Sequence, residues 1–84
     1  MSPSSEVTVV LPTALHARPA GAVVRAAAAF PGAVEVRLAD GRSATARSAL
    51  RLMALNAPAG ATVTVHADEL SAAEAVAEVL RTAD

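Results

Sequence analysis

Thr13-Ala14-Leu15-His16-Ala17-Arg18-Pro19-Ala20 places a histidine, an arginine and a proline where a strand gives way to a helix. Upstream, residues 6–11 are rich in β-branched side chains and read as a strand that Pro12 ends. Downstream, Ala20, Val23, Val24, Ala27 and Ala28 recur at helical spacing and form an apolar stripe. Pro19 brings a fixed φ that suits a first helical turn, where its missing N–H goes unmissed. His16 therefore falls at or near a helix N-cap. The unpaired N–H groups of the first turn and the positive end of the helix dipole face that position and favour an anion there. Arg18 adds a cation beside it. Imidazole is a nucleophile that is substantially neutral at working pH and a good leaving group once charged, so a histidine so placed is suited to carrying a phosphoryl group.

The rest of the chain extends this strand-to-helix unit. The helix runs to about Ala29, and Pro31-Gly32 stops it. Val34, Val36 and Leu38 alternate with Glu35 and Arg37, the pattern of a half-buried strand. Asp40-Gly41 signals a hairpin from which residues 42–46 return as a short partner strand. Ser48 is a natural N-cap for a short helix through Leu55, and residues 56–60 form a loop. Ala61, Val63 and Val65 alternate with Thr62 and Thr64 as a fourth strand. Ser71 is expected to cap a last helix with the stripe Ala72, Ala75, Val76, Val79, Leu80 and Ala83, and Glu74 completes a capping box. The order is βαββαβα. Strands that are polar at alternate positions point to an α+β domain whose antiparallel sheet has one wet face and helices on the other. The pattern does not order the strands within the sheet. Residues 1–5 read as a flexible N-terminus, and 6–84 as a single domain.

Composition narrows the function classes. Eighty-four residues bury one modest core and leave no room for a large enclosed active site. The chain is 54% hydrophobic, much of it alanine, with Phe30 as its one aromatic. All seven basic residues are scattered arginines and the net charge is −1, so there is no basic stripe or stacking platform for nucleic acid. The absence of cysteine removes disulfides and thiolate metal sites and fits a cytoplasmic protein. No stretch has the length and apolarity of a membrane span or a secretory leader. His66 with Asp68 and Glu69 lacks a second ligand type at metal-binding spacing and reads as a solvated surface histidine, so no metal is expected.

Two segments carry a family resemblance. Leu15-His16-Ala17-Arg18-Pro19-Ala20 resembles the active-site signature of HPr, the histidine-containing phosphocarrier family of the bacterial phosphoenolpyruvate:sugar phosphotransferase system. Arg47-Ser48-Ala49-Leu50-Arg51-Leu52-Met53 is similar to that family's second signature, at a fitting separation, and the likeness extends over residues 6–80. The resemblance implies an HPr-like open-faced β-sandwich, a four-stranded antiparallel sheet covered on one face by three helices. It implies that His16 accepts a phosphoryl group on its pros nitrogen, Nδ1, from phospho-Enzyme I and passes it to sugar-specific Enzyme IIA domains. Arg18 would neutralise the phosphoryl oxygens, and the backbone N–H groups of Ala17 and Arg18 would hold them. Such a protein is a monomeric carrier without a cofactor, more than a stand-alone enzyme.

The resemblance also places partner docking on Ala17, Arg18 and Gly21 and on the short second helix. There Leu52 and Leu55 suit the core, while Leu50 and Met53 fall on a different face. Ser48 is a candidate for regulatory phosphorylation, although Arg51 stands where the regulated branch of the family typically has glycine. Ala14 stands where the family usually has glycine, which would matter if the loop required a positive φ. Two other functions on the same fold are a regulatory binding module and a carrier for a dihydroxyacetone kinase-type phosphoryl relay. A small-ligand-binding domain lacks support, since there is no glycine-rich loop and no aromatic lining.

Overall fold

The computed structural model describes residues 5–83. Its elements are β1 (Ser5–Val10), α1 (Ala17–Ala27), β2 (Val34–Leu38), β3 (Ser43–Thr45), α2 (Ala49–Ala54), β4 (Thr62–Ala67) and α3 (Leu70–Arg81). The four strands form one antiparallel sheet in the order β1-β4-β2-β3. The last strand thus inserts between the first two, a long-range arrangement invisible to local patterning. Val65 is its centre, paired with Val7 on one side and Val36 on the other.

Register divides the sheet into two unlike faces. Val9, Val63, Val65, Val34, Val36 and Leu38 point into the core. Glu6, Thr8, Thr62, Thr64, His66, Glu35, Arg37 and Thr45 alternate with core-facing residues and line the open face. The helices pack on the inward face. Ala20 and Ala27 of α1 and Ala73 and Ala77 of α3 are fully buried, as are Val23, Val76 and Leu80. Alanine at those positions lets the helices approach closely, so a core with few large side chains still reaches dense packing. No buried polar or charged residue interrupts it among the described residues.

Element boundaries differ from the sequence pattern by one or two residues at several ends, β4 for instance running on to Ala67, and three differences matter most. β1 begins at Ser5, in the stretch expected to be loose, because Ser5 pairs with Ala67; residues 1–4 lie outside the described residues. α1 ends at Ala27 with Ala28 as its C-cap, two residues before Ala29. The third departure is a correction to the last helix. It starts at Leu70 with Glu69 as N-cap and no side-chain cap, so Ser71 sits inside the first turn and the Ser71–Glu74 capping box does not form. The Glu69 carbonyl accepts the Ala73 N–H at 3.1 Å. Ala72 is buried as the stripe predicts and Ala73 joins it in the core, while Ala75 stays only half-buried.

The β2–β3 turn behaves as its residues dictate. Gly41 adopts φ 96° in the β2–β3 hairpin, the left-handed region that glycine enters without steric cost. Asp40 braces that hairpin: its carboxylate accepts the Arg42 backbone N–H at 3.0 Å and the Arg42 Nε–H at 2.9 Å. The backbone N–H of Arg42, reinforced by its side chain, holds the Asp40 carboxyl below the usual carboxylate range.

Candidate functional site

His16 is the N-cap of α1, with φ −90° and ψ −166°. Its backbone is held on both sides. Leu15 is buried, and its N–H donates to the Ala57 carbonyl at 2.9 Å, tying the loop to the segment after α2. The His16 N–H donates to the Ala14 carbonyl at 2.8 Å, and the His16 carbonyl accepts the Ala20 N–H at 3.0 Å. The imidazole itself is exposed and makes no capping bond, so its ring nitrogens face solvent from a fixed backbone. Ala14 does not adopt a positive φ; the loop closes without a glycine there.

α1 leaves two backbone donors open in the turn that follows His16. The N–H groups of Ala17 and Arg18 have no backbone or side-chain partner among the described residues. Pro19, third in the helix and buried, has no N–H to offer. There is no acidic residue in the first turn to repel an anion, and Arg25 lies in the last turn, where a cation suits the dipole. A helix end of this kind stabilises a nearby negative charge by about 0.3–1 kcal/mol, up to about 2 when partly buried. Arg18 is exposed and makes no ion pair among the described residues. It lines a cleft of about 290 Å³ between α1 and the C-terminal end of α3, with Pro19, Ala22, Val79, Thr82 and Ala83.

His16 lines a second depression, of about 270 Å³, on the side of α2, together with Ala14, Leu15, Ala17, Met53 and Asn56 among others. The site thus has two flanks that meet at the α1 N-terminus. Met53 belongs to it directly: it is half-buried, packs on the core and borders the depression. Leu50 does not share that environment. It is 75% exposed, whereas Leu52 is fully buried and Leu55 nearly so. Gly21, half-buried one turn on, has room for a side chain: an added Cβ would come no closer than 3.8 Å to Arg25 Nη1.

Ser48 is the N-cap of α2, and its Oγ accepts the Arg51 N–H at 3.2 Å. Beside it, Arg47 has a role that local patterning missed. Its guanidinium donates to the carbonyls of Ala27 at 3.3 Å, Phe30 at 2.6 Å and Gly32 at 2.5 Å. It therefore braces the chain where it leaves α1: Ala27 is the last residue of the helix, and Phe30 and Gly32 lie in the segment that follows it. Asn56 was also missed. It follows α2, holds φ 55° and faces the depression that His16 lines. His66 lies apart on the open sheet face, between Glu6 and Glu35 in register, with Nε2 4.0 Å from Glu6 Oε2.

Comparison with known proteins matches this fold. The family model described as "PTS HPr component phosphorylation site" matches residues 3–84. Among solved structures, a phosphocarrier protein HPr from Bacillus anthracis is 27% identical with a TM-score of 0.80, over 92% of this chain and 96% of its own. HPr-C-His from Thermoanaerobacter tengcongensis is 28% identical with a TM-score of 0.76, over 93% of this chain and 90% of its own. A histidine-containing phosphocarrier protein of Mycoplasma, at 20% identity, shares the fold, with a TM-score of 0.81 over 94% of this chain and all of its own.

Proposed function

The chain belongs to the HPr family of the phosphotransferase system, and on that premise we propose that it is a phosphocarrier that takes a phosphoryl group on His16 from phospho-Enzyme I and gives it to Enzyme IIA domains. The observation that carries this reading is an exposed histidine at the N-cap of a helix with two open N–H groups and no acid in its first turn.

In the loading step the Nδ1 lone pair of His16 attacks phosphorus. An N–P bond forms while the bond from phosphorus to the donor breaks, and its electron pair leaves with the donor. Discharge is the reverse: the N–P bond breaks, its pair returns to Nδ1, and the acceptor's nucleophile binds phosphorus. The Ala17 and Arg18 N–H groups and the Arg18 guanidinium meet the oxygens, which remain charged through the transition state. Interactions of this size tune phosphoryl affinity without locking the group in place, which suits a shuttle.

Docking falls on the surface around that nitrogen: Ala17, Arg18, Gly21, Leu50 and Met53. Leu50 exposes an apolar side chain at a cost the fold does not require. Glycine in a helix costs roughly 0.5–1 kcal/mol relative to alanine, and Gly21 has the space for a side chain, so a flat surface for a partner accounts for its presence. A phosphoryl group on Ser48 would place a charge of about −2 beside that surface and oppose docking, which makes Ser48 the candidate regulatory position. The protein acts as a monomer in the cytoplasm in this account; no described helix is long and apolar enough to cross a membrane.

Onward transfer separates a carrier from a regulatory module of the same fold. The isolated phospho-form, mixed with an Enzyme IIA domain, should lose its phosphoryl group to that domain. Binding to the domain without loss of the phosphoryl group would favour the regulatory reading.

A further inference from the structure

Resting on the reading of His16 as the phosphoryl carrier, we propose that Asn56 is a further residue of the site, whose side-chain carboxamide donates a hydrogen bond to the phosphoryl group on His16.

Three observations converge on it. The first is its backbone. Asn56, at φ 55°, is the one non-glycine residue in the left-handed region among the described residues. That conformation is costly for side chains other than Asn or Asp and is open to Gly without penalty. It follows α2, and its N–H donates to the Met53 carbonyl at 3.0 Å, so the position ends the helix and a glycine would serve that purpose. Asparagine ends a helix there at little cost, so the position can carry a polar side chain without strain.

The second observation is placement. The Leu15 N–H to Ala57 carbonyl bond joins the two segments. His16 follows the donor and Asn56 precedes the acceptor, so both flank one bond, and both line the same depression. The third is chemistry. The other residues lining it are Ala14, Leu15, Ala17, Met53 and Ala57, none of which offers a side-chain N–H or O–H. The Asn56 side chain is exposed, and its amide has no partner among the described residues. A phosphoryl group on His16 has three peripheral oxygens. The end of α1 supplies two backbone donors, because Pro19 removes the next one. Asn56 supplies a donor from the segment after α2, in the depression that His16 lines and not in the cleft that Arg18 lines.

The chain has one asparagine and no glutamine, so Asn56 is its only side-chain carboxamide. A 15N–1H correlation spectrum will therefore show one side-chain NH2 pair, assigned by composition. The protein is loaded with phosphoramidate, which transfers its phosphoryl group to imidazole with loss of ammonia and requires no partner protein. Intact mass and fragmentation establish the loading at His16. The expected result is a downfield shift of one proton of the NH2 pair on loading, absent from His16→Ala treated in the same way. An NH2 pair that stays in place when His16 is fully loaded overturns the proposal and leaves the carrier reading standing. Loading by phosphoramidate with none by Enzyme I would overturn the carrier reading, and the NH2 pair would still report on the contact. In a second measurement, the parent and Asn56→Gly chains compete for phosphoryl groups, equilibrated by catalytic Enzyme I. Asn56→Gly should melt no lower than the parent, yet the parent should hold the phosphoryl group in about threefold to tenfold excess. Equal occupancy overturns the proposal.

Discussion

Replacing Arg47 by methionine tests how the carrier helix is held. Methionine keeps an unbranched apolar stem and removes the guanidinium, leaving the carbonyls of Phe30 and Gly32 without their donor, while the Ala27 carbonyl keeps the Phe30 N–H at 3.1 Å. A hydrogen bond from a charged group contributes about 1.5–3 kcal/mol in a buried setting. The bonds to Phe30 and Gly32 are short but exposed, and water can replace the lost donor, which reduces each to about 1 kcal/mol. The 3.3 Å bond to Ala27 is weaker, though it lies at the negative end of the α1 dipole. The expected loss is about 2 kcal/mol in all, a fall in melting temperature of about 8–16 °C for a domain of this size. Urea denaturation followed by circular dichroism measures it, with an unchanged slope and a lower midpoint. Arg47→Lys, with one compact charge that cannot fork across three carbonyls, should fall between the two. A loss for Arg47→Met below about 0.5 kcal/mol, the range of ordinary surface substitutions, would refute the reasoning and show that water serves these carbonyls as well as the guanidinium does.

Arg18→Ala should leave stability within about 0.5 kcal/mol of the parent, since Arg18 is exposed and unpaired among the described residues, yet slow phosphoryl transfer; an unchanged rate at both low and high salt would show that the helix end suffices alone. Leu50→Glu should fold normally and weaken binding to Enzyme I and Enzyme IIA by about 1–2 kcal/mol each, read by titration calorimetry; unfolding would instead mark Leu50 as core. Asp40→Asn tests the hairpin brace. A carboxyl held below its ordinary range contributes stability above that range and loses it as pH falls through the folded-state value. The variant should therefore be the less stable at neutral pH and converge with the parent in acid, and a stability gap independent of pH would contradict the assignment.

Much of this fold is legible because its signals are local. Pro12, Pro31-Gly32 and Asp40-Gly41 punctuate the chain where elements end or turn, and alternation in β2 and β4 marks the buried face correctly. What local reading cannot supply is pairing at long range. Nothing near residues 62–67 says that they lie between β1 and β2. Arg47 is likewise opaque, because its acceptors lie 15 to 20 residues earlier and its own segment reads as an exposed loop. The Ser71 capping box failed for a related reason: the burial of Ala72 and Ala73 against other elements set the helix start, and a favourable local cap was overridden. Ser48 falls at the N-cap that its residue type selects, and Pro19 in the first turn places His16 and Arg18 at the start of α1. Asn56 carried a signal that went unread, an asparagine just past the end of an apolar helix, a position where a left-handed residue is common.

Intact mass after incubation with phosphoenolpyruvate and Enzyme I tests the central claim most directly. The account predicts the gain of one phosphoryl group, labile in acid and stable in base, on the parent chain, and none on His16→Ala, which should keep its melting temperature because an exposed side chain without a capping bond has been removed. Full labelling of His16→Ala, or no labelling of the parent, would contradict it.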